Sequence, residues 1–427
     1  MEAFLISSLL VFLLVAGTPI AFALGLAGAA GIFSGAGFSG MLAQLSTTAY
    51  RSVADSTLSS IPLFILMAEL MHQGGMAKDV FDAARKIVGR VPGGIAIATV
   101  MASAGFSAVS GSSTASTGTL AAISLPEFKK LGYGIQAATG IVAVAGTLAV
   151  MIPPSIAFII YGVLTETSIG KLLIAGIIPG LMTAALYSVG ILLWAKLDPV
   201  TLPRGERFDW SEKLQSLRKI GGFCGIVFAI FFSLYGGVAT ANEVAAIGAA
   251  ATLVYLMAVG RLTWRQVIVA SYRTIHISAM IMLIVVGAMI FGYFLTINRA
   301  PQELIDAIGR SGMAPWTVMT IILIIYFVLG CLMDELAILL ITLPITFPLV
   351  VSIGFDPIWF GVIIVKMVEI GLVAPPVGMN VFVVSATTGV PVATIYRGTG
   401  YMLIFEGITL ILLLAFPWLS LWLPSYM

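Results

Sequence analysis

Apolar runs, each about the length of a membrane span, recur along the whole 427-residue chain. A helix crosses the hydrocarbon core of a bilayer with about 20 residues. We therefore predict spans near residues 3–17, 19–35, 58–73, 133–163, 170–195, 220–237, 240–259, 276–298, 358–388 and 400–423. Two further apolar stretches, 94–124 and 314–350, are interrupted at their middles by small or polar residues. Each is expected to be a re-entrant helical hairpin that enters and leaves on one side.

Composition narrows the class of protein. Hydrophobic residues make up 60% of the chain and charged residues only 9%, more apolar surface than a soluble protein of this length could bury. The 21 basic and 19 acidic residues nearly balance, so the charge gives no indication of a nucleic-acid partner. The predicted fold class is an all-α polytopic membrane protein.

The basic residues predict the orientation. The longest polar segment, 196–219, carries six of them and is expected in the cytoplasm by the positive-inside rule. Counting spans backwards brings the basic residues of 78–90 and 129–130 to the same side. Counting forwards places both termini outside, opens the first hairpin to the cytoplasm and opens the second to the opposite face.

Two sequence matches indicate an inverted repeat. Ala149–Ser155 (AVMIPPS) resembles Gly371–Val377 (GLVAPPV) 222 residues later, and Ile87–Arg90 resembles Ala307–Arg310 220 residues later. Two unrelated Pro-Pro kinks remain the alternative. Inverted repeats are the build of many secondary transporters, in which substrate and ions bind near the membrane midplane. We predict scaffold helices in 1–57, a first repeat in 58–195, a cytoplasmic linker in 196–219, scaffold helices and an amphipathic connection in 220–275, and a second repeat in 276–427.

The two proline pairs interrupt apolar spans. Because proline has no N–H, Pro153 and Pro154 leave the carbonyls of Ala149 and Val150 without their helical donors. Pro375 and Pro376 are expected to do the same to the carbonyls of Gly371 and Leu372. Unpaired carbonyls persist in a membrane only where another group satisfies them, and a dehydrated cation is one such group. Hydroxyl groups or water would also serve.

The hairpin tips carry the other candidate groups. Residues 107–118 are rich in hydroxyls and glycine, which suits either anion binding at a helix N-terminus or close helix packing. The second tip holds Asp334 and Glu335, and intramembrane acids are candidates for function. Asn380, just past the second proline pair, is a candidate contact for the solute. Lys366 and Glu369, one turn apart, are expected to neutralise each other.

The chain lacks the common sequence motifs of metalloproteases and ATPases. The chain has no His-Glu-x-x-His motif and no phosphate-binding loop of the Gly-x-x-x-x-Gly-Lys type, so an enzyme and an ATP-driven pump are both disfavoured. A membrane-embedded enzyme that uses Asp334 remains an alternative. A purely scaffolding role would leave both proline breaks without a purpose.

The order and spacing of these motifs resemble the large membrane subunit of the tripartite ATP-independent periplasmic (TRAP) transporters, essentially end to end. The resemblance is carried by Ile61-Pro-Leu-Phe64, Ser110-Gly-Ser-Ser-Thr-Ala115, Ile152-Pro-Pro-Ser155, Met333-Asp334 and Ala374-Pro-Pro376. It implies an elevator-type importer driven by Na⁺, with a periplasmic substrate-binding protein and a small membrane subunit as partners. With no extra helices before the match, the small subunit is expected to be a separate chain.

The resemblance also implies two or more Na⁺ sites built mainly from backbone carbonyls. The first would use Ser110, Ala149, Ile152 and Pro154, and the second Gly330, Gly371, Ala374 and Val377. Ala149 departs from the glycine common in the family, and Ala374 replaces a residue that can carry a hydroxyl, which predicts one fewer side-chain oxygen or a weaker ion there. The solute is expected near Ser112, Ser113, Ser155, Asp334 and Asn380.

From these features we predict import of a small organic anion with Na⁺ across the bacterial inner membrane. The anion would be a carboxylate such as a C4-dicarboxylate or a sugar acid, delivered by the binding protein. The alternative is a stand-alone ion-coupled carrier of dicarboxylates or oxyanions that needs no binding protein.

Overall fold

The computed structural model describes residues 2–427, except for the side chains of 2–4, 108 and 109. In this part of the chain the secondary structure is helical, apart from connecting turns and one isolated β-bridge. The first ten helices are α1 (Glu2–Val15), α2 (Ile20–Ala54), α3 (Ser60–Gln73), α4 (Met76–Val88), α5 (Gly94–Ser110), α6 (Ser113–Lys130), α7 (Ile135–Met151), α8 (Ile156–Thr165), α9 (Ile169–Ala175) and α10 (Ile177–Leu197). The second ten are α11 (Trp210–Tyr235), α12 (Ala241–Ala258), α13 (Trp264–Ile297), α14 (Ala300–Ser311), α15 (Pro315–Leu332), α16 (Glu335–Ser352), α17 (Pro357–Val373), α18 (Met379–Thr388), α19 (Val392–Ala415) and α20 (Trp418–Leu421). Within residues 2–427, nine helical segments are long and apolar enough to cross a membrane.

Both predicted hairpins are present. α5 and α6 are joined at Gly111 and Ser112, where Gly111 has a φ of +61°, a conformation that favours glycine. α15 and α16 are joined at Met333 and Asp334, and the Asp334 carboxylate accepts from the backbone N–H of Leu336 to cap α16. The two interruptions seen in the sequence are therefore the turns of two helical hairpins.

The two proline pairs break their spans as predicted. Residues 133–163 form α7 and α8 rather than one helix, and residues 358–388 form α17 and α18. The Pro-Pro peptide bond is cis in both breaks. α5 to α8 begin at 94, 113, 135 and 156, and α15 to α18 begin at 315, 335, 357 and 379. The offsets run from 315 − 94 = 221 to 379 − 156 = 223, so the two halves repeat one helix pattern.

Four helices have boundaries well away from the predicted spans. α19 covers Val392–Ala415 rather than residues 400–423. α2 continues past residue 35 to Ala54, turning at Gly37 with a φ of +69°. α13 begins at Trp264, twelve residues before the predicted span. α11 begins at Trp210, inside the predicted 196–219 linker, because Asp209 and Glu212 form a capping box that starts the helix in the polar region.

The helices pack in two groups. In the first, α2 packs along α13, and α3 packs against α12 and α13. In the second, α7 is surrounded by α5, α6, α10 and α19, while α17 packs against α15 and α19. Every residue of α17 from Trp359 onward is buried, as is nearly all of α7. We call the second set, α5 to α10 with α15 to α19, the hairpin group. The predicted domain boundaries remain a hypothesis.

The predicted cytoplasmic basic residues meet at one end of the molecule. The Arg85 guanidinium lies 2.6 Å from the Glu127 carboxylate and 3.5 Å from that of Glu206. Lys130 lies 3.8 Å from Glu206. These ion pairs join α4, the end of α6 and the 198–209 segment, so three basic clusters that are far apart in sequence share one face.

Candidate functional site

The first hairpin tip packs directly on the first break. A Cβ placed on Gly111 would lie 3.0 Å from the carbonyl oxygen of Pro154, so only a glycine fits this approach comfortably. The Ile152 N–H bonds the Leu148 carbonyl, and Pro153 has no N–H to offer to Ala149. Four predicted Na⁺ ligands, Ser110, Ala149, Ile152 and Pro154, thus belong to one tip and the break against which it packs.

The second break repeats this arrangement. A Cβ on Gly371 would lie 2.5 Å from the Cα of Gly330 in the second hairpin, and the Gly378 N–H donates to the Cys331 carbonyl at 3.0 Å. The hairpin and the break are therefore in backbone contact. Here too the predicted ligands Gly330, Gly371, Ala374 and Val377 are brought into one region.

The carbonyls at the second break are less free than predicted. The Gly371 carbonyl accepts from the Ala374 N–H at 3.1 Å, because the chain tightens by one residue at the end of α17. The Val377 carbonyl accepts from the Tyr396 hydroxyl at 2.6 Å. Each carbonyl oxygen has two lone pairs, so each keeps one for a cation.

The oxygen groups at the two breaks fit Na⁺ better than a transition metal. Na⁺ is a hard cation, and hard cations take oxygen ligands. Among residues 5–427, apart from the undescribed side chains, no group of three His, Cys, Asp or Glu side chains could hold a metal ion. The candidate ligands are instead neutral backbone oxygens, supplied where a helix is broken.

Three of the predicted solute contacts lie inside the protein. The Asn380 side-chain NH₂ donates to the Ser113 hydroxyl at 2.7 Å and to the Ala143 carbonyl at 3.2 Å, and Ser113 donates to the Gly146 carbonyl at 3.3 Å. The Ser155 hydroxyl caps α8 by accepting from the Phe158 N–H at 3.4 Å. All three side chains are fully buried. In this conformation Asn380 and Ser113 connect α6, α7 and α18 across the two halves of the repeat, while Ser155 stabilises the start of α8.

The other two predicted solute contacts, Ser112 and Asp334, face separate cavities. Asp334 lies with Met333 and His276 along a largely apolar cavity of about 1020 Å³ between α1, α2, α13 and α15. Ser112 lines a smaller cavity of about 220 Å³ at the first hairpin tip. The sequence had placed both near one solute, and this conformation keeps them in different cavities.

The cavity at the first tip contains charged residues that sequence reasoning did not select. Glu69 and His72 of α3 line it together with Arg273 of α13, and the Arg273 guanidinium lies 3.6 Å from the Glu69 carboxylate. Ser110 and Ser112 face the same space. The sequence feature that could have indicated this site is Arg273 itself, a charged residue in the largely apolar helix α13. Its partner is 204 residues away in sequence (273 − 69), so local patterns could not pair them.

Comparison with known proteins decides the family. The family model described as "Tripartite ATP-independent periplasmic transporter, DctM component" matches residues 7–419. The chain belongs to the DctM family. It is therefore a multi-pass membrane transport protein of the TRAP large-permease type and not an enzyme.

Relatives in the DctM family span several solutes. The chain is 36% identical to the C4-dicarboxylate TRAP transporter large permease DctM of Pseudomonas aeruginosa, over 87% of each chain. It is 33% identical to the ectoine/5-hydroxyectoine large permease UehC of Ruegeria pomeroyi, over 90% of each, and 30% identical to the sialic acid large permease SiaM of Vibrio cholerae, over 86% of each. The crystal structure of the Alcanivorax borkumensis YdaH transporter matches the fold with a TM-score of 0.64, covering 90% of both chains at 13% identity.

This DctM-family chain also buries a charged cluster beside the breaks. The Lys366 ammonium lies 2.9 Å from the Glu369 carboxylate, contacts the Glu406 carboxylate and lies 3.3 Å from the Thr183 hydroxyl. Glu406 also accepts from the Tyr187 hydroxyl. Lys366, Glu369 and Glu406 are completely inaccessible. The expected pairing of Lys366 with Glu369 is present, whereas Glu406 had no visible partner in the sequence.

Proposed function

We propose that this chain is the membrane permease of a Na⁺-coupled importer of small organic anions. The observation that carries the proposal is the matched pair of breaks, each with a hairpin tip packed against it at Gly111–Pro154 and Gly330–Gly371. A cation bound at such a place would touch both the tip and the break. Its presence would therefore favour the closed arrangement of the hairpin and would couple ion occupancy to closure.

The ligand sets implied by the family resemblance follow this geometry. Ser110, Ala149, Ile152 and Pro154 would hold one Na⁺, and Gly330, Gly371, Ala374 and Val377 a second. The ligands are oxygens in a region from which water is largely excluded. Electrostatic interactions are stronger there than in water, so the affinity for a cation depends strongly on the positions of these oxygens. A mispositioned tip would remove ligands from the site, so an occupied site and an open hairpin are poorly compatible.

The two helix groups support an elevator mechanism. The breaks and both tips belong to the hairpin group, while α2, α3, α12 and α13 pack largely with one another. Movement of the hairpin group as one body would carry ions and solute together without dismantling either break. In this proposal α2, α3, α12 and α13 act as the fixed scaffold.

The partners and solute are proposed from the family, and the location from the family together with the positions of the basic residues. We propose a small membrane subunit and a periplasmic binding protein as partners, in the bacterial inner membrane with both termini in the periplasm. The C4-dicarboxylates and sialic acid in the relatives' names favour a carboxylate as the solute. A stand-alone carrier without a binding protein is the competing proposal, and uptake by the chain alone would favour it.

Uptake into proteoliposomes tests the proposal. The complete transporter, with its binding protein outside, is given radiolabelled succinate or N-acetylneuraminate under an inward Na⁺ gradient or a matched inward K⁺ gradient. We expect accumulation with Na⁺ only, abolished when a Na⁺ ionophore removes the gradient. Equal accumulation in K⁺ would contradict Na⁺ coupling, and accumulation without the binding protein would support the stand-alone carrier.

A further inference from the structure

The cavity at the first hairpin tip lies between the two helix groups. One wall is α3, whose Ile65, Ala68, Glu69 and His72 share a face because they are spaced by three or four residues. Arg273 and Ile277, one turn apart on α13, extend this wall. The opposite wall is the hairpin group, through Phe106, Ser110, Ser112, Ala115, Thr119 and Ile156. A solute in this cavity would therefore contact both groups.

Polar groups of complementary kinds converge on this cavity. Hydroxyls of Ser110, Ser112 and Thr119 come from the hairpin wall, and Ser112 immediately precedes the N-terminus of the 18-residue helix α6. A helix N-terminus carries partial positive charge and favours anions. Arg273 adds a full positive charge from the facing wall. Hydroxyl donors, a helix N-terminus and a guanidinium together suit a carboxylate.

The ion pair between Arg273 and Glu69 is weak. The 3.6 Å separation from Glu69 is too long for a hydrogen bond, and the arginine side chain remains 51% exposed while Glu69 is only 18% exposed. Oε2 of Glu69 is buried and accepts no hydrogen bond from the part of the chain that the structure describes. A carboxylate on the solute could bind the guanidinium through two hydrogen bonds, which is stronger than the present contact.

We propose that Arg273 binds the carboxylate of the transported solute in this cavity, and that Glu69 competes with the solute for the same guanidinium. This inference rests on the proposed transport function and identifies its anion-binding residue. Binding exchanges the Glu69 carboxylate for the solute carboxylate without any covalent step. Because Arg273 belongs to α13 and not to the hairpin group, the contact is made only while the hairpin tip faces this wall.

The cavity lies toward the end of the molecule with the basic clusters. His72 is one residue from the end of α3, and the Gln266 side chain at the start of α13 donates to the Gln73 carbonyl at 3.3 Å. Nearby, Arg261 pairs with Asp79 at the start of α4. Arg273 would therefore hold the anion on the side that the basic residues predict to be cytoplasmic, where an importer releases its solute.

Binding measurements on the full-length chain in detergent with NaCl test this inference. The probes are succinate, isethionate and N-acetylneuraminate, with succinamide as the uncharged analogue of succinate. For the tightest of the three anions, we expect Arg273→Met to raise the dissociation constant about tenfold or more, because a charge-assisted bidentate contact is lost. Arg273→Lys is expected to recover only part of the affinity, and Glu69→Gln to lower the dissociation constant by removing the competitor. Succinamide is expected not to bind.

Arg265→Met is the matched control, because Arg265 lies on the same helix but outside the cavity. Its dissociation constant is expected to equal that of the unmodified chain. The Na⁺-dependent rise in melting temperature is measured on every variant and is expected to survive in Arg273→Met. Absence of a Na⁺-dependent rise in the unmodified chain would contradict Na⁺ coupling. A rise that persists in Arg273→Met while the anion affinity falls would show that the anion assignment and the Na⁺ coupling are tested separately.

Four results would overturn the assignment. The first is an unchanged anion dissociation constant in Arg273→Met. The second is equal losses in Arg273→Met and Arg265→Met, which would indicate a general charge effect. The third is a variant that binds the anion normally but loses a melting shift caused by phosphatidylglycerol, since Arg273 would then serve a lipid headgroup. Failure of the unmodified chain to bind any of the three anions would equally contradict it.

Discussion

At the scale of single residues, the candidate ion sites depend on glycines that allow backbones to touch. Gly111 approaches the Pro154 carbonyl, and Gly371 approaches Gly330 more closely than any side chain would permit. The sequence predicted the broken helices because the absence of a proline N–H is a local property. It could not predict that the Gly371 carbonyl would bond Ala374, since that depends on how the chain turns after the break.

Replacing Gly371 with alanine tests the contact at the second break. The added methyl group would lie 2.5 Å from the Cα of Gly330 and 2.4 Å from its carbonyl carbon, so the hairpin must move away. We expect a loss of about 1–3 kcal/mol of unfolding free energy, typical of overpacking, together with a smaller stabilisation by Na⁺. The measurement is thermal unfolding in NaCl and in choline chloride. Gly407→Ala in α19 is the control, because a Cβ at that position meets open space. Equal effects of the two variants would contradict the close contact.

At the scale of helices, the buried charges connect α17 to its neighbours. Lys366 of α17 contacts Glu406 of α19 and Thr183 of α10, as well as Glu369 one turn away. Glu369 lies two residues before the candidate ligand Gly371. The cluster therefore fixes the part of α17 that leads into the break. The pairing of Lys366 with Glu369 follows from helical spacing, but contact with Glu406 requires the packing of α17 against α19.

Replacing Lys366 should lower the free energy of unfolding. In Lys366→Met both glutamates stay buried without their cation, and breaking a buried ion pair typically costs about 3–5 kcal/mol. Adding Glu369→Gln and Glu406→Gln removes the two uncompensated charges and is expected to restore most of the lost unfolding free energy. The control is Lys130→Met, whose exposed pair with Glu206 at 3.8 Å should contribute less than about 1 kcal/mol. Similar losses in the two single variants would contradict the role of the cluster.

Helix existence followed from the sequence more closely than helix boundaries did. The hairpins and breaks were visible because glycine, serine and proline interrupt apolar runs at those positions. The early start of α11 at Trp210 was missed because its first turns are polar, although Asp209 and Glu212 form a recognisable capping pair. Hydropathy reports where a helix is in lipid, and it does not report where the helix begins in water.

At the scale of the whole molecule, three basic clusters lie at one end, which supports a cytoplasmic location for that end. This orientation can be tested by cysteine labelling after Cys224 and Cys331 are replaced with serine. A membrane-impermeant maleimide should label Arg310→Cys in spheroplasts and Lys130→Cys only after lysis. Both native side chains are exposed, so accessibility should report the side of the membrane. The reverse labelling pattern would contradict the proposed orientation.

The central claim is that Na⁺ binds the folded chain and drives transport, and melting of the purified protein tests it most directly. The melting temperature is compared in NaCl and choline chloride at equal ionic strength. A ligand present at 100 times its dissociation constant stabilises the folded state by about 2.7 kcal/mol. We predict a melting temperature that rises with Na⁺ concentration and a smaller rise in Gly371→Ala. Identical melting in the two salts at all concentrations would contradict Na⁺ binding, and with it the proposed coupling.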